Sequence, residues 1–207
     1  MITQTTRTPT RARARESTTT RREEILSAAR TLISENGVRG TSMRDLARAV
    51  GVTEGAFYRH FDSKEALVTE LFAAEASRLH GWLSGCMKRE KHPWSQLDAL
   101  VTGFVEFGLE EGESFRLIME LHHLSNLKAE PAGMPRDLFL GVLQQIAAGE
   151  KRRLAEPMAV VLMIVGMLSR ATTALRRGVL KLPRARFARL IGEATRAVVA
   201  SALEPLD

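Results

Sequence analysis

Between Thr41 and Leu67 the chain reads TSMRDLARAVGVTEGAFYRHFDSKEAL, and this stretch leaves little freedom in how it can fold. Leu46, Ala47 and Val50 recur at helical spacing and give a first short helix a buried stripe. Gly51 can take the positive φ that ends that helix sharply, and Thr53 can cap a second helix over roughly residues 54–60. The second helix buries Phe57 and Phe61, which leaves Gly55, Ala56, Tyr58, Arg59 and His60 on or near its other faces. Two helices joined by a tight glycine turn form a helix-turn-helix, whose second member enters the major groove of DNA.

The preceding segment supplies a third helix. Thr20-Arg21-Arg22-Glu23 reads as a capping box, Ile25, Ala28, Ala29, Leu32 and Ile33 follow at intervals of three and four, and Asn36-Gly37 closes the pattern. The joint pattern Gly51-Val52-Thr53-x-Gly55-x-Phe57-Tyr58-x-His60-Phe61-x-Ser63-Lys64-x-x-Leu67 resembles the TetR family of transcriptional regulators. The resemblance covers about Arg21 to Phe72 and implies a three-helix DNA-binding headpiece. Past that point it rests on architecture rather than on motifs.

Roles within the headpiece follow from side-chain chemistry. Tyr58 and His60 carry donors that reach phosphate oxygens, and the resemblance implies that these two positions clamp the DNA backbone. Lys64 stands at a helix N-terminus, where its ammonium joins exposed amides to make an anion site. Thr41 and Ser42 offer hydroxyls and amides to another phosphate. Base reading falls to Thr53, Glu54, Gly55, Ala56 and Arg59, with Arg44 from the neighbouring helix. An arginine pairing bidentately with guanine discriminates by about 1–3 kcal/mol. Glu54 stands where the family commonly has lysine; it accepts from cytosine or caps its own helix end, and the cap is the favoured reading.

Charge agrees with an anionic partner: the formal net charge is +6 and the pI about 10.1. Much of it sits in the first 22 residues, where Arg7, Arg11, Arg13, Arg15, Arg21 and Arg22 face only Glu16. This segment is either a solvated tail or a basic arm that adds DNA contacts. A lone cysteine, Cys86, excludes an internal disulfide, offers no resolving partner for a redox switch and fits a reducing cytoplasm. No apolar run precedes residue 23, and the longest one, residues 157–169, is too short to span a bilayer.

With 44% apolar and 5% aromatic residues, the rest of the chain reads as helices over residues 64–89, 95–111, 114–126, 137–148, 157–178 and 183–203. A loop is expected at 129–135, a basic turn at 151–153 and no strand. The expected fold is all-α with about nine helices: a basic arm over 1–19, the helix-turn-helix domain over 20–66, and a helical effector-binding and dimerisation body over 67–207.

Residues 159–168 are apolar almost all round, so such a helix must be covered on every side. Val161, Leu162, Val165 and Leu168, with Phe187, Leu190, Ile191, Ala194 and Val198 of the last helix, form the expected dimer interface. The resemblance implies that these two helices meet their two-fold mates as a four-helix bundle. Trp82, Phe104, Phe107, Phe115, Met119, Met163 and Met167 are candidates for a hydrophobic effector pocket, with His122, His123 and Arg170 as polar anchors, although methionine fills ordinary cores equally well. Glu120 and His123 are spaced to share a metal but have no further ligand, so neither metal nor cofactor is expected. The resulting expectation is a regulator, by default a repressor, that binds a palindromic operator as a homodimer and is released by a small hydrophobic effector. An effector-independent DNA-binding protein is the alternative. An enzyme, for instance a hydrolase using His122 or His123, lacks support from any nucleophile motif, glycine-rich phosphate loop or carboxylate pair.

Overall fold

The computed structural model describes the backbone of residues 11–121 and 133–206, and side chains from Arg21 onward within them. Among these residues the chain forms nine helices: α1 (Arg11–Gly40), α2 (Met43–Ala49), α3 (Glu54–Phe57), α4 (Lys64–Met87), α5 (Pro93–Glu110), α6 (Gly112–Leu121), α7 (Pro135–Gly149), α8 (Pro157–Arg176) and α9 (Arg184–Ser201). The contacts divide the chain into two compact units, one up to Leu71 and one from Phe72 onward.

In the first unit α1 begins at Arg11, so Thr20-Glu23 lies inside the helix rather than capping its start, and residues 11–19 of the expected arm are helical. The expected break at Gly37 is present as a kink, with φ 72° inside the helical run. Ile25, Ala29 and Ile33 are buried in the unit's core, as are Leu46, Phe57, Phe61 and Leu67. One polar contact ties the ends together. The guanidinium of Arg22 donates to both carboxylate oxygens of Glu70 and to the carbonyl of His60, and it lies 4.3 Å from the centroid of the Phe61 ring.

The second unit is organised round α5, which packs against α6, α7, α8 and α9. Leu97, Leu100, Val101, Phe104, Val105 and Phe107 of this helix are all buried. His92 caps it, its ring nitrogen accepting from the Trp94 amide at 3.3 Å, so the helix starts at Pro93 rather than at Ser95. Arg78 of α4 bridges to Glu111 and Ser114, each at 2.8 Å, and pairs with the buried carboxylate of Glu75 at 3.4 Å. Arg196 of α9 grips Asp98 with two guanidinium donors and stacks over Trp94.

Two elements depart from expectation. The expected basic turn is strand β1 (Arg152–Leu154), which pairs antiparallel with β2 (Leu203–Pro205), so Leu154 sits opposite Leu203 and Arg153 ion-pairs with Glu204. Both leucines are buried, which is why so short a ribbon forms. Helix α8, at 20 residues, is among the described residues the one helix long and apolar enough to cross a membrane, by length and composition. Its inner side, Val160, Val161, Ile164, Leu168 and Thr172, is buried within the unit, whereas Leu162 and Met163 are 52% and 55% exposed.

The crossing of α5 and α8 is set by Gly108. A Cβ there would stand 2.5 Å from Cγ2 of Thr172 and 3.2 Å from the Phe115 ring. Gly108→Ala is therefore expected to cost about 1–3 kcal/mol by overpacking, partly offset by alanine's helix propensity of about 1 kcal/mol. Thr172→Ser, which removes Cγ2, should recover most of the loss. Denaturant unfolding of the two single variants and the double variant checks this, and strictly additive effects would refute the contact.

Candidate nucleic-acid interface

The helix-turn-helix geometry follows from three local devices. Ser42 caps α2 in a full capping box: its hydroxyl accepts from the Asp45 amide at 3.1 Å, and the Asp45 carboxylate accepts from the Ser42 amide at 3.1 Å. Gly51, at φ 68°, lets the chain reverse, and the Val52 amide donates to the Ala47 carbonyl at 3.0 Å. Thr53 then caps α3, its hydroxyl oxygen accepting from the Ala56 amide at 3.2 Å. Regular helix ends at Phe57, shorter than expected, and residues 58–60 continue as a turn held by His60 N–H to the Phe57 carbonyl at 2.9 Å. Phe57 and Phe61 anchor it from beneath, with ring centroids 6.0 Å apart.

These devices leave Arg44, Thr53, Glu54, Gly55, Tyr58 and Arg59 exposed, Tyr58 at 44%, with Ala56, His60 and Lys64 half-buried. A Cβ added at Gly55 meets nothing within 4 Å, so the surface there is open to a close approach. Thr53 spends its acceptor on the cap and keeps its hydroxyl proton to donate.

Three expected phosphate contacts are altered. Thr41 is only 2% exposed, and its hydroxyl is turned inward to the carbonyls of Gly37 (3.0 Å) and Leu32 (3.3 Å), closing the chain after the α1 kink. It is a structural residue rather than a phosphate ligand. The amide of Ser42 is already taken by Asp45, whose carboxyl lies below the usual carboxylate range because Ser42 donates to it. At the start of α4, Ser63 accepts from the Ala66 amide at 3.1 Å. Glu65 accepts from its own amide and from the Ser63 hydroxyl, which hold its carboxyl below the ordinary range. Ser63 thus already satisfies one amide of this helix end, and Lys64 stands beside it with its ammonium. In the sequence Arg22 stands out only as a position within the Thr20–Glu23 capping box and as one of the positive charges of the first 22 residues. Its clamp on Glu70, 48 positions away, has no local signature.

Among the described residues, the expected pocket side chains are divided between packed core and surface. Trp82 donates to the Gly103 carbonyl at 3.0 Å and meets Phe107 edge-on, and Phe104 meets Phe115 edge-on. Phe104, Phe107 and Phe115 are each 1% exposed and form packed core, with Met119 half-buried. Met163 and Arg170 are exposed and Met167 half-buried on α8, while His122 and His123 lie outside the described residues. The clefts formed by described residues are lined by others, such as Leu109, Arg176 and Arg184.

The expected interface divides likewise. Val161, Leu168, Phe187 and Ile191 are buried within the subunit, so they belong to its own core and not to a surface another chain could reach. Leu162 and Leu190 are more than half exposed, and Val165, Ala194 and Val198 are intermediate. Helical periodicity gave both apolar stripes but not which of them faced inward.

With this geometry in place, comparisons with known proteins are informative. Residues 25–71 match the family model described as "Bacterial regulatory proteins, tetR family". The HTH-type transcriptional repressor KstR2 of Rhodococcus jostii is 34% identical over 134 residues, which cover 60% of this chain and 64% of that one. The chain thus spans less than two thirds of that relative's length. Among solved structures, the ketosteroid transcriptional regulator KstR2 of Mycobacterium tuberculosis aligns with a TM-score of 0.55 at 21% identity, over 90% of this chain and 96% of that one. AibR, solved with isovaleryl coenzyme A and operator DNA, aligns with a TM-score of 0.62 at 20% identity, over 90% of this chain and all of that one. Residues 25–71 thus resemble the helix-turn-helix segment of the TetR family, and the chain shares the fold of these solved regulators.

Proposed function

We propose that this chain is a cytoplasmic, ligand-responsive transcriptional repressor that binds a palindromic operator as a homodimer. The observation that carries this reading is the headpiece. A glycine-hinged pair of capped helices exposes Thr53, Tyr58 and Arg59, leaves open space at Gly55 and holds the unit on buried Phe57 and Phe61. One short helix reads too few bases for useful affinity, so two copies bridging half-sites about one turn apart, or a multiple of it, are required. The outer faces of α8 and α9, with Met158, Leu162, Met163 and Leu190 exposed, supply an apolar surface fit for that pairing.

A small hydrophobic effector is the natural signal for such a body: KstR2 is a ketosteroid transcriptional regulator, and AibR is solved with isovaleryl coenzyme A. The aromatic cluster of Trp82, Phe104, Phe107 and Phe115 is close-packed, so an effector entering there displaces side chains rather than filling a void. Such a ligand lowers operator affinity only by the difference in its affinity for the two conformations. Helix α4, which begins with Lys64 and carries Trp82, is the covalent path for that coupling.

Four outcomes test the reading. Gly55→Leu should leave the melting temperature within a degree or two, because the added side chain meets open space, yet abolish operator binding in a mobility-shift assay. Lys64→Ala should weaken binding to all DNA sequences alike and flatten the dependence of log K on log salt by ~0.9 per lost phosphate contact. Arg59→Ala should instead cost about 1–3 kcal/mol on the operator and little on unrelated DNA. Finally, Leu162→Arg with Leu190→Arg should convert a dimer to a folded monomer by sedimentation. A monomeric parent protein would overturn the pairing.

A further inference from the structure

Positive charge is concentrated in two blocks. One is the arginine-rich start of the chain, which suits a DNA-facing headpiece. The other lies in the body, where residues 157–192 contain seven arginines and lysines and no aspartate or glutamate. Nothing in the DNA-binding reading uses it. Part of this block gathers where α8 ends, the chain turns at Gly178 and α9 begins. There Arg176, Lys181 and Arg184 share a cleft of about 540 Å³ with the apolar side chains of Leu109, Leu175, Leu180 and Leu182.

Arg176 is the centre of this cluster. Its guanidinium lies 6.0 Å from the centroid of the Phe115 ring and ends where a side chain on Gly112 would begin, with Nη2 only 2.3 Å from the place of a Cβ. Thr172 and Arg176, one turn apart on α8, thus meet Gly108 and Gly112, four residues apart at the α5–α6 corner. The crossing that seats the helix also fixes the guanidinium. Burial lowers the pKa of Arg176 below its ordinary value, and the like charges of Arg116 and Arg177 act in the same direction. Among the described residues it has no carboxylate within ion-pairing distance. An exposed guanidinium that faces like charges and has no carboxylate partner among the described residues is free to pair with an incoming anion.

We propose that this cleft binds an amphipathic anion. A phosphate or carboxylate sits in the fork of Arg176 with Lys181 as second cation, and a short alkyl or acyl tail lies along Leu109, Leu175, Leu180 and Leu182. The cavity volume falls within the roughly 300–1,000 Å³ of small-molecule sites. An adjoining cleft shares Leu109 and Arg184 but is lined by Glu106 and Glu110, which orients the anionic end toward Arg176. The guanidinium abuts the aromatic cluster considered above at Phe115, but none of that cluster's residues lines the cleft.

Isothermal titration of the full-length protein with octyl phosphate, octanol and inorganic phosphate tests the proposal. Octyl phosphate should bind saturably, and the two fragments at least about tenfold more weakly, because each supplies only half of the recognition. Arg176→Gln should weaken octyl phosphate by about tenfold or more. Gly112→Ala keeps every charge but puts a methyl where the guanidinium ends, so it should weaken binding several-fold without lowering the melting temperature. Equal affinity for octyl phosphate and octanol, or unchanged affinity in Arg176→Gln, would overturn the assignment. So would co-sedimentation with phosphatidylglycerol vesicles in the absence of saturable octyl phosphate binding, which would move the basic cluster to a membrane surface. Because binding is read without DNA, failure here leaves the operator-binding reading intact.

Discussion

The Arg22 guanidinium is the contact on which the geometry of the headpiece depends. It gathers three segments that are remote in sequence: α1 through its own backbone, the turn after α3 through the His60 carbonyl, and α4 through Glu70. The Glu70 carboxylate raises the arginine's pKa further above an already high value, and the Phe61 ring beneath it restricts the guanidinium plane. With Arg22 and Glu70 side chains 41% and 35% exposed, solvent screens the pair and its net contribution to stability is small. Its value is positional. A bidentate fork fixes direction as well as distance, and here it fixes the end of the segment that carries Tyr58, Arg59 and His60.

Sequence made the local devices of this fold legible because each is written in a few adjacent residues. The Thr53 cap and the positive φ of Gly51 follow from residue chemistry at fixed offsets, and the structure has both. What sequence could not supply is whatever depends on distant partners. Thr41 looked like a free hydroxyl beside a DNA-reading helix, but the α1 kink brings the carbonyls of Leu32 and Gly37 to it. The first amides of α4 read as open to an anion, and Ser63 already accepts from that of Ala66. The ribbon of β1 and β2 joins residues about fifty positions apart, and three-residue strands carry too little periodicity to register.

The same distinction explains the divided outcome for α8. An all-round apolar helix announces that it needs cover on every side, but its pattern has no polar face to show orientation. Tertiary packing against α5 and α7 makes the choice, burying Val161 and Leu168 and leaving Leu162 and Met163 outward. The last helix repeats the lesson, with Phe187 and Ile191 inward and Leu190 outward. The aromatic residues near α5, read from the sequence as candidates for an effector pocket, lie together in the interior of the second unit. Their edge-on packing, however, is that of a filled core in the described conformation.

The interlock of Gly108 with Thr172 has a kinematic consequence. A methyl group seated in a glycine notch lets two helices rock about the point of contact, but it opposes translation of one along the other, since the next residues on α5 carry side chains where the notch would have to be. Rearrangements of this body are thereby confined to pivoting about a fixed fulcrum. The largest displacements then occur at helix ends far from residue 108, and the smallest beside it.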